Sequence, residues 1–129
     1  MRTKAREVAF QVVFASQFGG ADNGLEASLA KREKLTADDK AYCDRVLDLV
    51  NGHSAEFSEI IDSRSTAFPE SRLFPADRSV LFVALAEILY MDDIPNVVSI
   101  NEAANIASKY SSEKSATFVS GILAEVIKK

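Results

Sequence analysis

Apolar residues recur at intervals of three and four along almost the whole chain, and nowhere do they alternate with polar ones over the length of a strand. Such spacing lays a stripe along one side of a helix, whereas a half-buried strand requires a period of two. The first stretch, Lys4 to Phe18, interleaves Ala5, Val8, Ala9 and Val12 with Phe10, Val13, Phe14 and Phe18, which predicts a helix with a wide apolar face. Gly19-Gly20 ends it, and Asp22-Asn23-Gly24 reads as a turn. A weaker helix is expected from Leu25 to about Glu33. Thr36 is suited to cap a third, with Asp38 and Asp39 favourable to its dipole. Its stripe of Tyr42, Val46, Leu49, Val50, His53, Phe57, Ile60 and Ile61 keeps phase through Gly52, so one long or mildly kinked helix is expected. A short segment around Thr66 to Phe74 has Pro69 in its first turn. Pro75-Ala76-Asp77 opens the most apolar stretch, Arg78 to Tyr90, the expected central helix. After the break at Asp92-Asp93-Ile94-Pro95, helices are expected over Asn96 to Tyr110 and, behind a Ser111-Ser112 cap, over Glu113 to Lys128. The fold class is all-α.

Composition narrows the chemistry. With 129 residues, 47% hydrophobic and 26% charged, the chain has the means to bury a core as one domain, residues 1–129. The single cysteine, Cys43, excludes an internal disulfide and a zinc site built on several thiolates. Only one histidine, His53, is present. Its place on the third helix's stripe gives it a structural reading, and Cys43 beside Tyr42 reads as a small buried hydrophobe. No nucleophile–base pair, metal spacing or glycine-rich phosphate loop is visible, so neither enzyme activity nor a cofactor is expected. The apolar run Val80 to Ala86 falls far short of the roughly 20 residues that span a bilayer. The N-terminus has no apolar segment of the secretory kind, and a cytoplasmic location is expected. A net charge of −4 argues against general coating of nucleic acid but leaves room for a local basic patch.

Two readings stand side by side for the cations Arg2, Lys4 and Arg6 at the start of the first helix. They oppose the helix dipole, which favours anions there, and form either a solvated helix end or a phosphate-contacting patch. Phe118 and Tyr110 are likewise either core aromatics or stacking faces for unpaired bases.

Four stretches, in order, resemble the NusB family of transcription antitermination factors. Ala5-Arg6-Glu7-Val8-Ala9-Phe10-Gln11 is similar to its opening motif, and Asp77-Arg78-Ser79-Val80-Leu81 with Glu87-Ile88-Leu89-Tyr90 to its central helix. Asp93-Ile94-Pro95-Asn96-Val97-Val98-Ser99-Ile100-Asn101-Glu102-Ala103 is the most specific match, and Phe118-Val119-Ser120-Gly121-Ile122-Leu123 resembles the closing motif. The chain departs from the pattern at Thr3 in the basic cluster, at Phe82 and Ala86 in the central helix, at Ser120 in place of asparagine, and at Lys114 where an acid is frequent.

The resemblance implies a bundle of about seven helices in two packed subdomains. It also implies binding to boxA-type RNA of nascent ribosomal transcripts together with NusE, a small-subunit ribosomal protein, within the RNA polymerase elongation complex. The family has self-associating members and others, so a homodimer is an open expectation. On this reading Arg2, Lys4 and Arg6 from the first helix and Lys114, Ser115 and Phe118 from the last form one RNA-facing surface. The cations would meet phosphates, and Phe118, four residues from Lys114 and on the same face, would take an unstacked base. Glu87 and Asn101-Glu102 are expected to tie helices together. The competing expectation is a protein-only helical adaptor of the same fold with weak or no RNA binding.

Overall fold

The computed structural model describes residues 2–19, 24–64 and 73–128. Among them lie six helices and no strand: α1 (Arg2–Ser16), α2 (Leu25–Arg32), α3 (Ala37–Arg64), α4 (Pro75–Tyr90), α5 (Asn96–Tyr110) and α6 (Glu113–Ile127). The expected short segment around Thr66 to Phe74 lies, up to residue 72, outside the described residues, as do positions 20–23 of the expected turn.

Local chemistry sets most of the boundaries. The Thr36 Oγ1 accepts from the Asp39 amide at 3.1 Å and starts α3, and the Ser112 Oγ does the same for the Ser115 amide at 3.1 Å to start α6. Pro75 stands in the first turn of α4, where its missing N–H costs nothing. That proline starts the helix three residues before the expected Arg78. At the end of α2, Lys34 takes a left-handed φ of 57° so that its amide reaches the Lys31 carbonyl while the Leu35 amide reaches that of Ala30. This is the Schellman arrangement, here without the usual glycine.

The long α3 does kink. At His53 the backbone turns to φ −124°, ψ 18°, directly after Gly52. The His53 ring stacks on Tyr90 with centroids 4.2 Å apart, and its Nδ1 lies 3.0 Å from Glu56 Oε1, which also accepts from the Tyr90 hydroxyl at 2.6 Å. Both halves keep the stripe facing inward, with Tyr42, Cys43 and Val46 before the kink and Phe57 and Ile61 after it all buried. Phase therefore survives the change of direction.

The central helix is α4. It packs against α1, α3, α5 and α6, and every residue from Ser79 to Glu87 is buried. Near its C-terminal end it is tied to three other helices through one carboxylate, Glu87, which is 1% exposed. Glu87 accepts from Arg6 Nε at 2.6 Å, from Ser99 Oγ at 2.8 Å and from the Tyr42 hydroxyl, so α1, α3 and α5 all converge on it. Burial works against the Arg6 charge, but the hydrogen bond and charge of Glu87 outweigh it and hold the guanidinium's proton more tightly than usual. No helix among the described residues is long and apolar enough to cross a membrane.

Candidate nucleic-acid interface

Helix geometry separates the three N-terminal cations. Successive residues turn about 100° around the axis, so Arg2 and Arg6 share one face of α1 while Lys4 points elsewhere. Arg6 is 5% exposed and its Nη1 also donates to Glu102 Oε1 at 2.9 Å, an acceptor shared with the Thr3 hydroxyl at 2.7 Å. It binds helices to one another, which corrects the expectation that it faces phosphate. Arg2 lies 4.5 Å above the Tyr42 ring and within 3.4 Å of Asp38 and 3.8 Å of Asp39. Lys4 alone of the three is exposed.

Lys4 lines a groove of about 140 Å³ with Arg32, Lys109 and Tyr110. Two acids, Glu7 and Glu33, temper the charge. Lys109 Nζ donates to Glu7 Oε1 at 2.7 Å, and the Tyr110 hydroxyl donates to the same oxygen at 2.8 Å. Burial pushes the Glu7 carboxyl up, but those two hydrogen bonds and the nearby Lys4 hold it below its usual value. The acid stays charged and fixes Lys109 and Tyr110 at the groove's edge. Beyond Tyr110, a cavity of about 250 Å³ is lined by Phe10, Gln11, Phe14 and Ala76.

Lys114, Ser115 and Phe118 do come together. They line a pocket of about 310 Å³ with Leu73, Phe74, Asp77 and Ser112. The Ser112 cap aims the first turn of α6 at α4, and Ser115 donates from its hydroxyl to Asp77 Oδ2 at 3.1 Å. The Ser111 hydroxyl, one residue past Tyr110, lies 2.8 Å from that of Ser115. Burial raises the Asp77 carboxyl, while the Ser115 and Ser111 hydroxyls pull it back. Phe118 is half-buried and Phe74 is 68% exposed, so two aromatic rings border an open, largely apolar space with a lysine beside it.

The two sets of expected residues are not one cluster. Glu87, which holds Arg6, and Asp77, which holds Ser115, stand ten positions apart on α4, about 15 Å of helix rise. Lys4, Lys109 and Tyr110 line a groove of their own, and the Lys109-Tyr110 pairing of a cation with an aromatic was its available signal. Phe74 was missed because it sits before a helix-starting proline, outside any stripe. Phe14, on α1, and Phe18, which was expected to extend the helix but lies two residues past its end at Ser16, are 36% and 64% exposed and pack edge-on at 5.2 Å. Among the described residues, no neighbouring helix covers that end.

The model of the NusB family matches residues 3–128. The chain belongs to the NusB family. A transcription antitermination protein NusB of Ruminiclostridium cellulolyticum is 37% identical over 128 residues, covering 98% of this chain and 88% of that one. Another, from Agathobacter rectalis, is 34% identical over 127 residues, covering 96% and 97%. The solved structure of T. maritima NusB superposes with a TM-score of 0.88 at 30% identity, over 100% of this chain and 92% of that one. A crystal structure of the antitermination factors NusB and NusE in complex with double-stranded RNA has the same fold, with a TM-score of 0.84 at 24% identity over 97% and 94%. The NusB-family bundle is thus the frame on which the Lys4–Tyr110 groove and the Phe118 pocket are mounted.

Proposed function

We propose that this chain is a transcription antitermination factor. It holds boxA-type RNA of nascent ribosomal transcripts, in company with a NusE ribosomal protein, as part of the RNA polymerase elongation complex. Residues 1–129 serve as one RNA-binding domain in the cytoplasm, with no catalytic step of their own. The observation that carries this reading is the convergence of Lys114, Ser115 and Phe118 on an open aromatic pocket next to the Lys4–Lys109–Tyr110 groove. The groove's cations meet phosphates and set affinity, and the pocket takes an unstacked base. Arg2 serves the interface from its edge, and Arg6 serves it by fixing α1 on α4 and α5.

The exposed Phe14–Phe18 pair at the C-terminal end of α1, beside the start of α4, is the surface we assign to NusE. Gln17 there reaches the Pro75 carbonyl at 3.0 Å, so the edge is anchored and presents its apolar rings outward. A titration of the full chain with boxA-type RNA at low salt, with and without NusE, tests the proposal. Binding that NusE strengthens is the expected result. Partner binding with no RNA in either condition would instead establish the protein-only adaptor.

A further inference from the structure

Among the described residues two buried side-chain atoms lack a hydrogen-bond partner, Arg2 Nε and Asp77 Oδ1, and of these residues Asp77 is the one that lines the Phe118 pocket. Its side chain belongs to a residue only 4% exposed. One carboxylate oxygen, Oδ2, is satisfied by Ser115, while Oδ1 is buried with no hydrogen-bond partner among the described residues. Native proteins seldom leave a buried acceptor in that state, since the missing bond is costly. The same residue forms part of the wall of the 310 Å³ pocket, together with Phe74, Phe118 and Lys114. A space of that size lies at the lower end of the roughly 300–1,000 Å³ typical of small-molecule pockets and has the flat apolar borders that a single base requires.

Building on the RNA-binding reading above, we propose that Asp77 is a specificity-determining residue: its unpartnered oxygen reads the base held in this pocket and selects an amino-bearing base, cytosine or adenine, over uracil. An ionised carboxylate only accepts hydrogen bonds. Cytosine presents an N4 amine and adenine an N6 amine, both donors, whereas uracil carries the O4 carbonyl at the corresponding edge. Two acceptors would then face each other at an Oδ1 that is itself out of water, where an unpaired polar group is most costly. The base enters the open pocket beside the exposed Phe74, while Lys114 meets its phosphate. The Ser115 hydroxyl keeps Oδ2 occupied, so only Oδ1 is left to read the base edge.

The test uses the full chain, with and without NusE, and three fluorescent single-stranded RNAs of twelve nucleotides: oligo(C), oligo(A) and oligo(U). Anisotropy titrations at low salt should give binding to oligo(C) about tenfold tighter than to oligo(U), within the span of one good side-chain–base pairing. In Asp77→Asn the amide oxygen can still accept from Ser115 and the amine then points at the base. The preference should shrink or reverse towards oligo(U), while binding to oligo(A) weakens. A reversal is beyond what general loosening of the fold could produce, and thermal melts of both proteins confirm that the variant is folded. Equal affinity of the unaltered chain for oligo(C) and oligo(U) overturns the proposal whether or not the variant folds, and so does a folded variant that keeps the original preference. Failure of all three RNAs to bind, with NusE present, would remove the RNA-binding reading itself. Salt-sensitive binding without discrimination would remove only the role given to Asp77.

Discussion

A cation's effect on this protein depends on which side of α1 it occupies. Arg6 is clamped between Glu87 and Glu102, and replacing it with alanine leaves the buried Glu87 carboxyl without its guanidinium. Loss of one partner from a buried pair costs about 3–5 kcal/mol, so Arg6→Ala should lower the denaturation midpoint steeply, as urea melts followed by circular dichroism would show. Lys4→Ala, two residues away and solvent-exposed, should change stability by less than about 0.5 kcal/mol. Its effect should appear in RNA binding. Each phosphate that a cation neutralises on a single strand contributes about 0.7 to the salt slope, so Lys4→Ala should make the slope shallower by about that much in titrations across a series of salt concentrations. Phe118→Ala should weaken binding by about 1–3 kcal/mol with the salt slope unchanged.

At the scale of elements, α4 has the least tolerance. Leu81 and Leu85 are both fully buried, and truncating either to alanine should cost about 2–5 kcal/mol in denaturant melts. The short α2 behaves differently. Burial, then the hydrogen bond and charge of Asp44 on α3 and the charge of Asp48, raise the Glu26 carboxyl to about 7. Its ordinary value is 4.5, so between those values the folded protein holds a proton that the unfolded chain has released. The stabilising contribution is complete below about 4.5 and is lost as pH rises through about 7. Melting temperatures should therefore fall between about pH 5 and pH 8, and Glu26→Gln should flatten that dependence and leave the variant the more stable of the two at about pH 8. Helix spans were legible in the sequence because each has a stripe and a chemical stop: α5 runs from Asn96 to Tyr110 as its spacing predicts, and Ser112 caps α6 through its own side chain. What spacing could not reveal was partnership. Arg6 and Lys4 are alike as letters, and only the arrival of Glu87 from a distant helix makes one structural. The Phe118 pocket was half legible, since Lys114, Ser115 and Phe118 lie within a single helical turn or so, but Asp77 and Phe74 reach it from a separate element.

Across the whole molecule, a protein of net charge −4 gathers Lys4, Arg32 and Lys109 on one groove and an apolar pocket beside it. On the proposed function affinity and selectivity would come from different surfaces, and added salt should erode the first more than the second. The groove also has a position in time. Its walls come from α1, from the end of α2 and from the end of α5, and the hydrogen bond between Glu7 and Lys109 spans 102 residues. Synthesis runs from the N-terminus, at about 5–20 residues per second, so α1 emerges several seconds before its partner exists. Arg6 gains Glu87 once α4 is made, but Lys4 still has no Lys109 beside it. If the groove holds RNA as proposed, a nascent chain stalled before α5 should be unable to grip RNA through it, however complete its first four helices. The protein gains its groove only when nearly all of it has been made.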